Sequence, residues 1–573
     1  MADTATPAAA PVKENKAQKA ERLKREKNAW QSWDEVREFA RLGRQSVPEE
    51  WMMYFRWWGI YTQGDGAGAI GGVGGEGKST EYFMLRIGIP NGILTAHQVS
   101  VISDIVRDHA RGIVDVTTRQ NFQLHWLTIQ DLPVVSEKLT AIGLSPKGAC
   151  GDVARNVTGC PLAGYHPHEL IDASPLARKV AKHLTGNPEF VNLPRKFKFS
   201  ITGCPVWCSY PEINDAALTA IERVNADGTK EIGYTVRVGG GLSREPHLGV
   251  RLNAFVKQDQ AEEVCIKIAE IFRDSQILRE NRAAARIKYL FMKFGWTAES
   301  MLEEIERRMG VKLDPGVEEQ IPDEVVRDHT GVIPQKQKGL NTVGVSILNG
   351  RLTDTQLRGL AELAQTHGDG NLRCTIQQNV LLTGVPSEKV QETVSEIGGL
   401  GLHVEATNFW RGAIACTGTE FCKLAISETK GFSKWLVGEL EDRVPEFDQQ
   451  IRIHVTGCPN SCGQHWIADF GLEGKKIKHE GKMVDAFYFY VGGSVGEYQR
   501  FSRAIGYRVP ASETPDAMER FLKTYLKQRQ PGEHLRAYFG RYSDEELRAQ
   551  LAGAVLEPAE RDLPTGRAPH FAE

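Results

Sequence analysis

Cysteine is scarce in this chain, ten residues in 573, which is too few for a disulfide scaffold. No stretch approaches the roughly 18 consecutive apolar residues that a membrane-crossing helix needs. The opening MADTATPAAAPVKENKAQKAERLKREK has no apolar core of the kind a secretory leader carries. An excess of either charge is missing too: 70 Lys and Arg stand against 73 Asp and Glu, a formal net charge of −3. These absences argue against a membrane protein, an exported disulfide protein and a globally basic nucleic-acid binder. The expectation is reduced thiols in a cytoplasmic protein. Residues 1–45 read as a mobile tail running into a solvated helix.

One motif that is present points the wrong way. Gly72, Gly77, Lys78 and Ser79 fit the phosphate-loop pattern letter for letter. That loop needs a buried strand before it and a helix opening on its Lys-Ser. Here glycine-rich YTQGDGAGA precedes it, and the alternating TEYFMLRIGI that follows predicts a strand. A nucleotide hydrolase is therefore rejected.

The chain repeats itself. FKFSITGCPVWCSYPEINDAAL (197–218) resembles IRIHVTGCPNSCGQHWIADFGL (451–472), and RNVTGCPLAG (155–164) lies where RGAIACTGTE (411–420) recurs. IPNGILT (89–95) answers ILNGRLT (347–353), and TTRQNFQL (117–124) answers TIQQNVLL (375–382). Four matches in one order make the chain a duplication. Each half reads as short strands, an Asn-Gly turn and amphipathic helices, an α+β pattern. Residues 311–339, rich in Pro and charge, read as the connection between halves.

Cysteines fall in the repeated motifs. Cys416 and Cys422 are spaced C-x5-C, and Cys458 and Cys462 C-x3-C. Four thiolates from two loops suit zinc or an iron–sulfur cluster, and the five-residue gap leans towards iron–sulfur. A non-catalytic iron–sulfur protein is the rival that these cysteines alone would allow.

ACTGTEFCKLA followed by TGCPNSCGQ resembles the signature of sirohaem-containing, ferredoxin-dependent nitrite and sulfite reductases, and the likeness spans about residues 45–530. It implies an internally duplicated fold: two ferredoxin-like half-domains in a parachute arrangement, plus two sirohaem/iron–sulfur α/β domains. The expected boundaries are 46–150 and 321–400 for the former and 151–320 and 401–530 for the latter, with 531–573 a C-terminal extension. The resemblance assigns one 4Fe–4S cluster to Cys416, Cys422, Cys458 and Cys462, with Cys462 also the axial ligand of the sirohaem iron. It makes Arg86, Arg155, Lys196 and Lys198 the catalytic, anion-holding cations, and Arg119, Gln123 and Asn460 sirohaem contacts. The duplicates of Arg86 and Arg119 are Gly344 and Gln377, so charge gathers where the first half would line a pocket.

The implied function is an assimilatory six-electron reduction by a monomer fed by ferredoxin, with no nucleic acid or membrane as partner. Lys475, Lys476 and Lys478 are candidates for the ferredoxin surface. Lys198 favours sulfite, because nitrite reductases of this kind typically carry Asn there; ACTGTEFCKLA stands closer to the nitrite branch, so nitrite is the alternative. Tyr61 and Cys150 are the candidate pair for a Tyr–Cys cross-link that occurs in some relatives. Cys160, Cys204 and Cys208 repeat three cluster cysteines, with His166 aligned to the fourth, and are expected to be packed thiols rather than a second cluster.

Overall fold

The computed structural model describes residues 14–63, 81–319 and 328–556. Gly72, Gly77, Lys78 and Ser79 lie outside the described residues, but the strand after them is present at Phe83–Arg86, where a phosphate loop would need a helix.

Among the described residues four five-stranded sheets make up the fold, and the Asn-Gly turns decide how they connect. Asn91 and Gly92 adopt φ of 55° and 68°, and Asn349 and Gly350 repeat this at 56° and 72°. Asn and Gly are the residues that tolerate this left-handed backbone best. Each turn releases a short strand that joins the sheet of the other half. Ile93–Thr95 pairs with Asn371–Cys374, and Arg351–Thr353 pairs with Ile113–Val116. A Cβ on Gly92 would stand 2.4 Å from the Cys374 carbonyl oxygen, and one on Gly350 2.5 Å from that of Val116. The crossing therefore leaves no room for a side chain at either position.

Both crossing strands end in capping boxes, Thr95 with Gln98 and Thr353 with Gln356, which start the helices Ala96–His109 and Asp354–Thr366. Those helices bury Val99 and Ile102 beside Leu357 and Leu360 in a single core. The two ferredoxin-like half-domains are thus interlocked, because each completes its sheet with the other's strand.

The other two sheets begin with parallel strands. Phe199–Thr202 runs parallel to Ala216–Val224, and Ala413–Ala415, Ile453–Thr456 and Phe470–His479 run parallel in turn. Parallel strands bring their carboxyl ends to one edge, where open α/β sheets place their ligands.

Two terminal expectations are corrected. The helix Lys16–Glu26 is not solvated: Ala17, Ala20 and Leu23, spaced by three, bury one face, and Lys24 Nζ lies 3.1 Å from Asp152. The C-terminal stretch is no mere extension, since Leu535, Tyr538, Phe539, Leu547 and Leu551 close the core of the second α/β domain. Among the described residues no helix is long and apolar enough to cross a membrane.

Candidate active site

The four cysteines of the second half meet because of strand order. Cys416 leaves the strand Ala413–Ala415, and Cys458 lies just beyond its parallel neighbour Ile453–Thr456. The Cys416 N–H donates to the Val455 carbonyl at 3.1 Å, which binds the two loop origins together. A single helical turn, Gly418–Phe421, carries the chain from Cys416 to Cys422 and accounts for the unusual five-residue gap. The Gly457 N–H donates to Cys416 Sγ at 3.2 Å, and Asn460 Nδ2 donates to Cys458 Sγ at 3.4 Å. Cys462 alone of the ten cysteines is exposed. Burial, and then the charge of Cys462, push the Cys422 and Cys458 thiols up to about 12. Thiols so crowded ionise only where a bound cation offsets them, which is what a metal cluster supplies.

These cysteines border a cavity of about 670 Å³. Eight lysines and arginines line it against three carboxylates. Two of those carboxylates are already engaged. Asp152 pairs with Arg282 at 2.7 Å and Lys24 at 3.1 Å, and Asp115 with Arg351 at 2.9 Å and Lys430 at 3.5 Å. The space is therefore cationic. Arg86 Nη2 donates to Gln123 Oε1 at 2.8 Å, while its Nε is buried with no hydrogen-bond partner among the described residues. Burial lowers the Arg86 guanidinium from its ordinary value, and burial with the charge of Arg286 lowers Lys196 to about 7. A site that strains its own cations this way gains most when an anion enters.

A buried network holds the cluster loop. Arg351, on the crossing strand, grips Asp115 and also reaches Glu420 at 2.8 Å, two residues before Cys422. His125 Nε2 approaches the same carboxylate at 3.0 Å, and its ring stacks on Phe421 with centroids 4.0 Å apart. Neighbouring Lys430 and Arg351 hold the Asp115 carboxyl well below the usual range against the opposing effect of burial. Sequence reading missed Asp115, His125, Glu420 and Lys430. Arg351 sat in plain view in the repeated ILNGRLT, but as an odd cation with no partner to suggest its role.

Of the residues expected in the site, Arg86, Gln123, Arg155, Lys196, Asn460 and all four cysteines line the cavity, as do Tyr61 and Cys150. Arg119 and Lys198 do not line it. Arg119 is drawn into the seam behind, donating to Asn214 Oδ1 at 2.7 Å and to the carbonyls of Asn156 and Phe199; burial lowers it to about 9. Lys198 lies two residues beyond Lys196. Burial first, and then the charges of Lys196, Arg119 and Arg286, press its ammonium well below the ordinary lysine value. On the candidate ferredoxin surface, Lys475 pairs with Glu473 at 2.9 Å and Lys476 with Asp485, which weakens that patch.

The mirror positions explain why only one half carries this site. Arg411, the copy of Arg155, is bound by Asp328 at 2.8 Å, and Arg452, the copy of Lys198, by Asp469 at 2.9 Å. Their charges are spent within the protein.

The donor set and the lining fit a 4Fe–4S cluster beside a polycarboxylate tetrapyrrole: four thiols with N–H donors on sulfur, and a cationic cavity with an orphaned guanidinium nitrogen. Comparison with known proteins agrees. The family described as "Nitrite and sulphite reductase 4Fe-4S domain" matches residues 150–313 and 406–557, and "Nitrite/Sulfite reductase ferredoxin-like half domain" matches 76–142 and 333–400. The chain is 36% identical to an assimilatory ferredoxin-dependent nitrite reductase of Haloferax mediterranei, covering 88% of each chain. It is 34% identical to ferredoxin sulfite reductase 1 of Mycolicibacterium paratuberculosis, over 90% of this chain and 92% of that one. The solved structure of the Mycobacterium tuberculosis NirA protein superposes with a TM-score of 0.87 at 31% identity, over 93% of this chain and 98% of that one. Both domain types match twice and in alternation, as the repeats require, and the chain belongs to the nitrite and sulfite reductase family.

Proposed function

We propose that this enzyme reduces sulfite to sulfide, taking six electrons from ferredoxin. Cys416, Cys422, Cys458 and Cys462 would hold the 4Fe–4S cluster, and Cys462 would also ligate a sirohaem iron. That pair, when bound, collects electrons singly and delivers them to the anion. Arg86, Arg155 and Lys196 hold the substrate oxygens, and their charge stabilises the electron density that builds there. Lys196 Nζ, lowered to about 7, releases and regains a proton near neutrality, which suits repeated protonation as three oxygens leave as water. Gln123 fixes Arg86 through its amide oxygen. Asn460 lines the cavity beside the Cys458 sulfur and would be one of the residues that hold the tetrapyrrole. Arg119 braces the loops behind the cavity, and from there its charge would favour the cofactor's carboxylates.

The observation that carries this reading is the Arg86 guanidinium, buried in a cationic cavity bordered by four cysteines, with one nitrogen lacking a hydrogen-bond partner among the described residues. The choice of sulfite rests on Lys198, which does not line the cavity but whose positive charge acts on it from next to Lys196: an anion with two charges gains more from that extra cation than one with a single charge. Reduction of nitrite to ammonia is the second reading, favoured by the nitrite reductase relative at 36% identity and by the form of ACTGTEFCKLA. Assays with reduced ferredoxin that compare kcat/KM for the two anions test the choice. Absence of sirohaem absorption bands, in protein made where sirohaem is supplied, would refute the whole scheme. The reading places the chain in the cytoplasm as a monomer.

A further inference from the structure

The first half keeps three cysteines where the second half ligates its cluster: Cys160, Cys204 and Cys208 repeat Cys416, Cys458 and Cys462. Local geometry repeats as well. Thr158 bridges Ser200 in parallel, so Gly159-Cys160 and Gly203-Cys204 leave adjacent segments side by side. The counterpart of Cys422 is not repeated. His166, aligned to it, faces elsewhere, its Nδ1 accepting from the His168 N–H at 3.0 Å.

A different histidine comes in. Cys160 Sγ, Cys208 Sγ and a ring nitrogen of His329 lie within 4.8 Å of one another, all three residues buried. The Cys204 thiol is in hydrogen-bonding contact with the Cys160 thiol, and the three cysteines pack together under Leu162 and Leu381. The approach of His329 is built into the duplication. Gly344 stands where the first half has Arg86, and a Cβ there would lie 1.8 Å from the His329 carbonyl oxygen. Losing that side chain is what admits the segment, and the Arg411 pair with Asp328, at 2.8 and 3.0 Å, anchors it.

Spacing separates one ion from a cluster. A tetrahedral zinc with Zn–S near 2.3 Å and Zn–N near 2.0 Å sets its donor atoms about 3.5–3.8 Å apart. A four-iron cube spreads its thiolates wider, one to each iron. The cysteines of the second half form no group within 4.8 Å among the described residues, whereas Cys160 and Cys208 form one with His329, and Cys204 touches it through Cys160.

Charge gives an independent sign. Arg373 pairs in register with Leu381, so its side chain shares the face that packs on the thiols. Its guanidinium is buried, with Nε and Nη1 lacking hydrogen-bond partners among the described residues. The Tyr165 ring lies 5.1 Å from it, and a buried cation so held, with two nitrogens short of hydrogen bonds, is costly beside neutral thiols and favourable beside thiolates. Three thiolates and a neutral imidazole on a divalent ion carry one net negative charge, which Arg373 offsets.

We infer that Cys160, Cys204, Cys208 and His329 bind one zinc ion tetrahedrally, and that this ion fastens the connection between the halves to the first α/β domain. Binding releases three thiol protons to solvent and needs no oxidant. The inference stands apart from the reductase reading, because zinc occupancy does not depend on the electron-transfer centre.

The test is metal analysis of the full-length holoprotein made in zinc-supplemented medium. About one zinc per chain is expected beside the iron. Cys208→Ser and His329→Gln should each lower zinc at least tenfold while iron content holds. X-ray absorption at the zinc edge should show three sulfurs and one nitrogen, and it keeps the test decisive if a variant fails to fold. A four-sulfur shell would mean zinc misplaced in the cluster site and would overturn the inference. So would a zinc-free wild type, whether its three thiols prove free on unfolding or a second iron–sulfur signal appears.

Discussion

Arg351 donates from Nε to Asp115 across 2.9 Å, joining two residues 236 positions apart. Asp115 belongs to the strand Ile113–Val116 of the first half, Arg351 to the strand that the second half lends to the same sheet, and the register places them directly opposite. The same guanidinium holds Glu420 in the cluster loop. One side chain therefore links the interlocked sheets to the loop that runs from Cys416 to Cys422.

Arg351→Met removes that link and leaves the Asp115 carboxylate buried with less compensation. A loss of about 3 kcal/mol in stability is expected, with lower iron per chain, because the loop that presents Cys422 loses its tether. Thermal unfolding and iron analysis check both effects. A variant with wild-type melting and full iron would show that the link is dispensable.

Arg86→Gln should retain fold, iron and tetrapyrrole, yet lose about 10²–10³ in kcat/KM, the usual cost of removing one charge-stabilising donor. Steady-state kinetics on protein with verified cofactor content measures this. If kcat/KM stayed within a few-fold of wild type, Arg86 would not hold the anion.

Lys198→Asn bears on substrate choice. The loss in kcat/KM should be about tenfold greater for sulfite than for nitrite, since removing a nearby positive charge weakens the hold on a dianion more than on a monoanion. Equal losses for both anions would remove the argument from the paired ammoniums.

Asp152 predicts an acid-dependent stability. Lys24, Arg282 and Arg195 lower its carboxyl from the ordinary 3.8 despite burial. A carboxyl lowered on folding contributes stability that is full above its unfolded value. That contribution fades as pH falls, because the unfolded chain then takes up the proton first. Asp152→Asn should therefore cost about 3 kcal/mol near pH 7, and the gap to wild type should narrow between about pH 5 and 3. Denaturant titrations at several pH values would show it; a gap constant with pH would contradict it.

Much of this was legible in the residues. The duplication, the α+β character, the failure of the phosphate-loop letters and the four-cysteine set all follow from local pattern, because turn chemistry, strand alternation and ligand spacing act over short stretches. The gathering of Arg86, Arg155 and Lys196 with those cysteines was legible too, through matched motifs. What stayed hidden was pairwise and remote. No spacing marks Lys24 as the partner of Asp152, or the helix Lys16–Glu26 as packed; Lys-rich composition suggested solvent, whereas Ala17, Ala20 and Leu23 on one face decided otherwise.

The amino-acid order by itself determined the elements and the donor sets: two Asn-Gly turns, two TGCP motifs, and cations in one half where the other has Gly344 and Gln377. Tertiary structure alone decided which strand completes which sheet, and that exchange brings Arg351 to Asp115. It alone decided that Arg411 and Arg452 are neutralised while Arg86 is not. And it replaced His166 with His329 beside Cys160 and Cys208, because a glycine at 344 leaves the space through which a distant segment can pass.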